Sequence, residues 1–343
     1  MTEFGLIRRY FDRPVSMWPA GHAQSLLPVH ATGQPAGVPA LGIGDDCALL
    51  NLPAADQQWA ISSDMLVEGR HFFAGTDPAA IGHKALAVNL SDLAAMGAWP
   101  VGFTLALALP AADQQWLDAF CQGMFALAAR AACPLVGGDT TRGPLTISIT
   151  IFGQLTRGQA LRRDGARPFD EIWVSGSLGA AALAVACRQQ GREAPDEAAR
   201  RLDWPEPRLK AGLQLVGLAS AAMDLSDGLA GDLGHLLEAS SHRCGQPLGA
   251  VIQAESLPLD PVLKHVPAAV RPEDGGLRYA LYGGDDYELL FTVPPAQHDA
   301  VLTCCPEARM IGRIVPDDST IFLERADGRY TPLLARGYDH FAT

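Results

Sequence analysis

Apolar residues recur along this chain with two different spacings, and the spacing predicts where its strands and helices lie. In residues 145–151, LTISITI, apolar residues alternate with hydroxyl residues, and residues 101–109 alternate large apolar with small side chains. Both patterns are typical of half-buried strands. Between them Trp116, Phe120 and Leu127 recur at helical spacing. The sequence therefore predicts a strand, a helix and a second strand in this order.

An earlier helix is predicted to begin at Asp77, which can cap it, with Pro78 in its first turn. Ile81 and Ala85 recur at helical spacing, and Asp92 continues the same apolar stripe. Because burying a lone carboxylate is costly, we expect Asp92 to meet a cation, hydrogen-bond donors or a water-lined cleft. A surface position is the alternative.

Aspartate follows small residues at the end of several apolar runs: LGIGDD, AISSD, LVGGD, AAMDLSD and LYGGDD. We interpret these runs as strands that deliver carboxylates at their ends. Glycine beside a carboxylate lets the backbone approach a ligand closely, and strand ends from different parts of a chain can converge on one cleft. A series of ordinary Gly-Asp turns is the alternative.

Strands and helices intermix, which predicts an α/β or α+β fold. The turn-rich segment GQLTRGQALRRDGARPFD separates the first part of the chain from a strand, glycine turn and helix in EIWVSGSLGAAALAVA. We therefore place a domain boundary between residues 155 and 156, giving domains 1–155 and 156–343. With 343 residues and 48% hydrophobic composition, the chain has enough apolar material for two cores.

The net charge of −12 argues against a nucleic-acid surface. Seven cysteines without a C-x-x-C pair indicate neither a disulfide framework nor a zinc site, and fit reduced cytosolic thiols. No segment approaches the roughly 18 apolar residues of a membrane span. We expect a soluble, cytoplasmic protein with no membrane partner.

Carboxylates without accompanying histidine or cysteine pairs favour Mg²⁺, or else Ca²⁺ or Mn²⁺, over zinc. Mg²⁺ is usually held by one or two carboxylates and substrate phosphates, so many carboxylates indicate several ions and a polyphosphate. The chain has no Walker A loop, no G-x-G-x-x-G after a strand and no H-R-D catalytic loop. If ATP binds, we expect metals and backbone amides to hold it.

The phrases LGIGDDCALLN, SSDMLVEGRHF, KALAVNLSDLAAMGA, GGDTTRGP, MDLSDGLAGDLGHL, GGDDYEL and GYDHF occur in this order over nearly the whole chain. This series closely resembles the thiamine-monophosphate kinase family. The resemblance implies an aminoimidazole ribonucleotide synthetase-like fold with an N-terminal domain that binds ATP and Mg²⁺ and forms a homodimer, and a C-terminal α/β domain. It also implies direct in-line transfer of the ATP γ-phosphoryl group to thiamine monophosphate, without a covalent nucleophile.

The resemblance also implies roles for individual residues. The metal ligands it implies, with Ser62 at the edge of the site, are Asp46, Ser62, Ser63, Asp64, Asp92, Asp139, Asp224 and Asp227. The nucleotide contacts are Gly138, Asp139, Arg163 and Ser226. The substrate contacts are His71, Asp285 and Tyr338. A turn arginine, a loop histidine and a packed tyrosine are the alternatives for Arg163, His71 and Tyr338, and we expect Asp45, Asp286 and Glu288 to be structural.

Three features depart from the family pattern: serine at position 63 where threonine is common, aspartate at 285 where glutamate is common, and a longer stretch over residues 14–40. We interpret that stretch as a loop. Two other functions remain open at this point. One is another ATP-dependent enzyme of the same fold, acting on a ribonucleotide or selenide, and the other is a non-catalytic nucleotide-binding dimer.

Overall fold

The computed structural model describes residues 7–11, 26, 54–265, 270, 274–316 and 319–335. Contacts divide the chain into two units, and each is described by itself. The first comprises Met1–Leu93 and Ala98–Ala160, and the second comprises Ala94–Gly97 and Leu161–Thr343. Contact grouping does not test whether the parts fold as separate domains, so the boundary after residue 155 stays a prediction.

The described residues of the first unit form a four-stranded sheet. Its strands are β1 (Gln57–Val67), β2 (Trp99–Leu109), β3 (Leu135–Arg142) and β4 (Thr146–Thr156), in the order β1-β4-β2-β3. β3 runs parallel to β2, and the other neighbours are antiparallel. One face of the sheet is buried through residues such as Phe103 and Ile151. The alternating patterns of β2 and β4 are thus confirmed.

β1 differs from its prediction. The strand continues past Asp64 to Val67, which lies opposite Thr146 of β4, because pairing persists for three more residues. Asp64 therefore lies inside the strand and not at its end. The strand-end prediction was also wrong for Asp139, because β3 continues past it to Arg142.

The first unit also contains a π-helical turn at Ile7–Phe11 and two long helices, α1 (Pro78–Ala95), whose last two residues group with the second unit, and α2 (Gln114–Arg130). The predicted start of α1 is confirmed, since the Ala79 amide donates to Asp77 Oδ1 at 3.0 Å. The helices approach each other at glycines: a Cβ on Gly82 would lie 2.1 Å from the Phe120 carbonyl oxygen, and one on Gly123 would lie 1.8 Å from that of Ala79. Only glycine fits at these two positions without a helix shift.

The described residues of the second unit form a seven-stranded mixed sheet. Its strands are β5 (Glu171–Val174), β6 (Ala221–Asp224), β7 (Leu248–Gln253), β8 (Leu289–Val293), β9 (Arg309–Pro316), β10 (Ile321–Glu324) and β11 (Tyr330–Leu333). They lie in the order β11-β10-β7-β9-β5-β8-β6. Only β7 and β10 pair in parallel. The predicted α/β class is confirmed.

Helices and short 3₁₀ turns surround this second sheet. The helices are α3 (Ala180–Gln189), α4 (Asp196–Asp203), α5 (Leu209–Leu215), α6 (Leu229–Cys244), α7 (Leu277–Tyr282) and α8 (His298–Cys304), and the turns are Ala254–Ser256, Pro261–His265 and Pro295–Gln297. The core lies between the sheet and α6: Leu229, Leu233 and Leu236 of the helix belong to one buried apolar cluster with Ile172 and Leu290 of the sheet. No helix of the described residues is long and apolar enough to cross a membrane.

The apolar run before Gly283 was expected to be a strand, and this was wrong. It forms α7, because the buried residues Leu277, Ala280 and Leu281 are spaced three and four apart, which is the helical period. The acidic pair that follows therefore joins a helix to a strand.

Residues Ala94–Gly97 group with the second unit although they follow Leu93 of the first. A Cβ on Gly212 of α5 would lie 2.0 Å from the Ala94 carbonyl oxygen, and one on Gly97 would lie 2.5 Å from a Val216 methyl carbon. Gly97 ends α1 with φ +64, a conformation that favours glycine. This four-residue segment thus packs tightly against α5.

Candidate functional site

In the first unit, β1 and α1 are joined by polar side chains. The Ser62 hydroxyl donates to Asp92 Oδ2 at 2.5 Å, and the Asp64 amide donates to Asn89 Oδ1 at 3.2 Å. Asn89 and Asp92 are three residues apart on α1 and so lie on one side of the helix. Asn89 is itself fixed by donating to the Ala85 carbonyl oxygen at 3.0 Å. The expectation that Asp92 meets a hydrogen-bond donor is confirmed. We call the contact between β1 and α1 that carries Ser62, Asp64 and Asp92 the α1 seam.

Ser63 lies on the other face of β1, because side chains alternate along a strand. Its hydroxyl is 2.6 Å from the Thr150 hydroxyl. The structure therefore brings the side chains of Ser62 and Asp64 to the α1 side of the sheet, and it does not bring the Ser63 hydroxyl there.

Asp139 and Gly138 lie on β3 where that strand pairs with β2. The register places Asp139 beside Ala106, which pairs with Ser148 on the same side of the sheet as Ser63. Asp139 is exposed, and its Oδ1 accepts the Thr140 amide at 2.9 Å. Gly138 has φ +148, and a Cβ there would lie 1.9 Å from the Leu105 carbonyl oxygen. Glycine at 138 thus allows the close approach of two strands.

His71 lies in a tight turn after β1. Its Nδ1 accepts the Val67 amide at 3.0 Å, and its own amide donates to the Val67 carbonyl oxygen. The Lys84 ammonium, on α1, donates to the His71 carbonyl oxygen at 3.3 Å, and the lysine is only 4% exposed. Lys84 and Asn89 were missed from the sequence, although both interrupt the apolar stripe of α1, and that interruption is the signal that could have found them.

In the second unit, two loops that carry predicted site residues run side by side. The Asp285 amide donates to the Ser226 carbonyl oxygen at 2.9 Å, and the Tyr287 amide donates to that of Leu225 at 2.9 Å. Asp285 and Tyr287 adopt left-handed φ values of 67° and 48°. The Tyr287 hydroxyl donates to Asp285 Oδ1 at 3.1 Å. The loop after β6, with Ser226 and its neighbours, is therefore fixed to the loop that holds Asp285.

Asp232, in the first turn of α6, was also missed from the sequence. It is 2% exposed, and its Oδ2 accepts the amides of Asp227 at 3.2 Å and Gly228 at 3.1 Å. Burial, with the nearby charges of Asp227 and Asp224, raises the pKa of Asp232 to about 7. Its signal in the sequence is an acid that can cap the amides at the start of a helix.

The structural roles expected for Asp286 and Glu288 are confirmed. Both Asp286 oxygens accept the Gly179 amide at 3.0 Å, and burial raises the pKa of this carboxyl well above its usual range. Glu288 is fully buried and accepts hydrogen bonds from Arg201, Arg208 and Ser175. Burial opposes its ionisation, but the two arginines and the hydroxyl outweigh burial, and the pKa of Glu288 is lowered.

Arg163 is exposed, and its carbonyl oxygen accepts the Ser240 hydroxyl at 3.0 Å. Its guanidinium makes no hydrogen bond or ion pair with the described residues, whereas neighbouring Arg162 and Arg243 both pair with Asp164. The expected sites at Asp45, Asp46 and Tyr338, and the expected loop over residues 14–40, lie outside the described residues.

The donor set along the α1 seam consists of oxygen, from Ser62, Asp64 and Asp92, which is the ligand chemistry that Mg²⁺ prefers. Within the described residues, no three His, Cys, Asp or Glu side chains are grouped so that they could hold a metal ion by themselves. The oxygen atoms of Ser62, Asp64 and Asp92 are therefore of the type that binds Mg²⁺. A complete coordination shell would need further oxygens. Substrate phosphates usually supply such oxygens.

Comparison with known proteins places the chain in a family. A family model described as AIR synthase related protein, N-terminal domain, matches residues 44–155. The thiamine-monophosphate kinase of Salmonella typhimurium is 44% identical over 352 aligned residues, which cover 99% of this chain and 98% of that one. The chain belongs to the thiamine-monophosphate kinase family. The family resemblance inferred from the motif series is thereby confirmed.

Solved structures agree with thiamine-monophosphate kinase membership. The crystal structure of the enzyme from Stenotrophomonas maltophilia K279a is 45% identical, with a TM-score of 0.76 over 85% of this chain and 92% of that one. AaThiL complexed with AMPPCP and TMP is 29% identical, with a TM-score of 0.73 over 84% and 89%. The hydrogenase maturation protein HypE, 21% identical with a TM-score of 0.74 over 98% of both chains, shares the fold.

Proposed function

We propose that this protein transfers the γ-phosphoryl group of ATP to thiamine monophosphate, forming thiamine diphosphate and ADP. The observation that carries the proposal is the 44% identity to a thiamine-monophosphate kinase over nearly the whole of both chains. The AaThiL relative is complexed with AMPPCP and TMP. AMPPCP is an ATP analogue, so that complex supports ATP and a monophosphate as the two substrates.

The proposed reaction joins two anions, because a phosphate oxygen of one substrate attacks the γ-phosphorus of the other while ADP leaves. Such a reaction depends mainly on positioning and on neutralising negative charge. When bound, Mg²⁺ would supply that neutralisation and hold the phosphate oxygens in line. In the first unit we propose Ser62, Asp64 and Asp92 as Mg²⁺ ligands. In the second unit, taken by itself, we propose Asp224 and Asp227 as Mg²⁺ ligands.

Asp46, Asp139 and Ser63 are the other predicted metal ligands. Asp46 and Asp139 complete the proposed set. Asp139 is exposed on the same side of the sheet as Ser63, so a ligand role beside Asp64 and Asp92 would require its side chain to reach the other face. For Ser63, a side-chain ligand role beside Asp64 would require its hydroxyl to leave Thr150 and reach the other face of β1. That requirement makes Ser63→Ala a useful variant, since it should leave the metal dependence nearly unchanged if the hydroxyl stays on Thr150.

In the first unit we propose Gly138 and Asp139 of β3 as nucleotide contacts and His71 as a contact for thiamine monophosphate. In the second unit we propose Ser226 of the loop after β6 and the exposed guanidinium of Arg163 as nucleotide contacts. Asp285 and Tyr338 are the proposed contacts for thiamine monophosphate in that unit. Lys84 supports the turn that carries His71, and Tyr287 supports the side chain of Asp285. We also propose the cytoplasm as the compartment.

We further propose a homodimer formed through the first unit. Ile61 is 61% exposed and Met65 is 55% exposed, and both lie on the face of β1 away from α1. Ile61 pairs with Phe152 of β4, which extends this apolar surface. Because such a surface is costly in water, a second copy of the same face is the proposed partner. Replacing Ile61 and Met65 with lysine should yield a monomer in light scattering, and an unchanged oligomeric state would refute this interface.

The reaction is tested by incubating the purified protein with ATP, Mg²⁺ and a panel of thiamine, thiamine monophosphate and ribonucleotides. Thiamine monophosphate should be converted, while free thiamine, which lacks the attacking phosphate oxygen, should not. A folded protein that forms no thiamine diphosphate would refute the proposal. Turnover of a ribonucleotide instead would favour the alternative of another ATP-dependent enzyme of the same fold.

The metal ligands are tested with Asp64→Asn and Asp92→Asn, each assayed over a Mg²⁺ titration. Both variants should lose most turnover and need more Mg²⁺, since each loses a charged oxygen ligand. Asp118→Asn is a matched control, because Asp118 is an exposed acid on α2 of the same unit. Wild-type kinetics in both ligand variants would assign Asp64 and Asp92 a purely structural role.

A further inference from the structure

Two adjacent thiols converge at the end of α8. Cys304 is the last residue of the helix, Cys305 follows it, and their sulfur atoms lie 3.7 Å apart. Consecutive side chains in an α-helix diverge by about 100°, because the helix has 3.6 residues per turn. The approach of these sulfurs therefore comes from the way the helix ends.

The sequence explains that ending. Cys305 precedes Pro306, and a residue before proline is disfavoured in the helical conformation. Cys305 accordingly adopts φ −127° and ψ 69°, while its amide still donates to the Val301 carbonyl oxygen at 2.7 Å. The Ala308 amide donates to the Cys305 carbonyl oxygen at 2.9 Å, which fixes the following turn. The thiols are thus held together by backbone structure on both sides.

The two thiols differ in environment. Cys305 is 7% exposed, whereas Cys304 is half-buried, and its thiol donates to the Val301 carbonyl oxygen at 3.6 Å. Burial and the neighbouring Cys304 raise the pKa of Cys305 to about 12, against an opposing effect of Lys210. Because thiolates react with oxidants and exposed thiols meet them first, Cys304 is the sulfur that a peroxide would reach.

We propose that Cys304 and Cys305 form a vicinal dithiol that peroxide closes reversibly into a disulfide. In the first step the Cys304 sulfur attacks a peroxide oxygen, which gives a sulfenic acid and one water. In the second step the Cys305 sulfur attacks Cys304 Sγ, and the hydroxyl of the sulfenic acid leaves with the Cys305 proton as a second water. The two thiols lose two electrons, and these reduce one hydrogen peroxide to two waters.

The disulfide should be easily reduced. Adjacent Cα atoms are about 3.8 Å apart across a trans peptide, below the usual separation of about 4.4 to 6.8 Å in disulfides. Such strain makes a disulfide more reducible, and labile disulfides are those that respond to redox conditions. The dithiol is therefore suited to a reversible modification and not to structural cross-linking.

The experiment treats the full-length protein with hydrogen peroxide, alkylates the remaining thiols and digests with trypsin. Residues 279–309 form one tryptic fragment in which Cys304 and Cys305 are the only cysteines. The oxidised fragment should be lighter by two hydrogens and take no alkyl label, and dithiothreitol should restore both labels. In Cys305→Ser, Cys304 should instead accumulate as a sulfenic acid that dimedone traps.

Cys244 is the matched control, because it is exposed and its thiol donates to carbonyl oxygens of Ser241 and Gln246. It should form a sulfenic acid without losing two hydrogens within its own fragment. The proposal is overturned if fragment 279–309 still takes two labels at a peroxide dose that fully oxidises Cys244. It is equally overturned if Cys304 proceeds to a sulfinic acid with no disulfide formed. None of these readouts depends on the proposed kinase activity.

Discussion

Glu288 lies fully buried between two arginines, and replacing it with glutamine should destabilise the second unit. The carboxylate accepts Arg208 Nε at 2.7 Å, an Arg201 amino group at 3.0 Å and the Ser175 hydroxyl at 2.5 Å. Glutamine keeps the shape but removes the charge, and its amide group directs N–H donors at guanidinium donors. Removing one partner of a buried ion pair costs about 3 to 5 kcal/mol, because the remaining charge loses its compensation.

For a unit of about 150 to 250 residues, 1 kcal/mol shifts the unfolding midpoint by about 2 to 4 °C, so Glu288→Gln should lower it by about 6 to 20 °C. Glu197→Gln is the control, because Glu197 pairs with Arg200 at the surface, with side chains 49% and 60% exposed. Exposed pairs contribute at most about 1 kcal/mol. Thermal unfolding that gave the two variants equal midpoints would refute the assigned energy of the buried cluster.

The same variant predicts a pH dependence. The pKa of Glu288 is lowered in the folded state relative to that of an unfolded glutamate, because the neighbouring arginines outweigh burial. An unfolded glutamate has a pKa of about 4.3. The stabilising contribution of Glu288 is therefore complete above the unfolded pKa and is lost as the pH falls through the folded one. Urea unfolding measures the difference in the free energy of unfolding between wild type and Glu288→Gln at each pH. Titration of Glu288 should leave this difference constant from pH 5 to 8 and make it smaller below about pH 4. A difference that does not change with acid would count against an ionised Glu288.

Three further predictions follow from single residues. In steady-state kinetics, Asp285→Ala should raise the KM for thiamine monophosphate about 5- to 150-fold and leave the KM for ATP unchanged, because an unpaired polar partner costs about 1 to 3 kcal/mol. A KM for thiamine monophosphate that matches wild type would remove Asp285 from the site. Phe169 is 66% exposed with φ +73, so Phe169→Gly should raise the free energy of unfolding by up to about 1 kcal/mol, whereas Phe169→Ala, which keeps the strain, should not. Gly123→Ala should lower the free energy of unfolding by about 1 to 3 kcal/mol, because its Cβ would overlap the Ala79 backbone. Gly143→Ala is the control and should be as stable as wild type, because its Cβ would meet only the Ala108 side chain at 3.4 Å. Equal urea midpoints for the two variants would refute the close helix contact.

Local periodicity was enough to predict the strands and helices with regular patterns. The alternation in β4 and the capped start of α1 were both readable because each depends on residues close in sequence. The prediction of a strand for the apolar run of α7 was wrong, because Leu277 and Leu281 are four residues apart, which is helical spacing. In short apolar runs, spacing is the more reliable guide to the element.

Placement of the site residues depended on contacts that sequence does not contain. The alternation of β1 could have separated Ser63 from Ser62 and Asp64, because alternate residues face opposite sides. The contact of Lys84 with His71 could not have been assigned, because it depends on how the turn after β1 packs against α1. The contact of Asp232 with two loop amides is local in sequence, and the position of this acid in the first turn of a helix could have indicated it. The acids could be found in the sequence because they stand beside glycine. The groups that hold these acids in place could not be found in that way.

The segment Ala94–Gly97 gives the chain an unusual connectivity. It lies in sequence inside the first unit but groups with the second, so the backbone crosses between the groups three times, after residues 93, 97 and 160. A gene cut after residue 160 would therefore deprive the downstream fragment of four residues against which Gly212 packs. Exchange of whole halves between relatives would meet the same obstacle unless those four residues were exchanged with the second half. A recombination point at the apparent boundary would therefore separate these four residues from the unit with which they group, and no break in composition marks them.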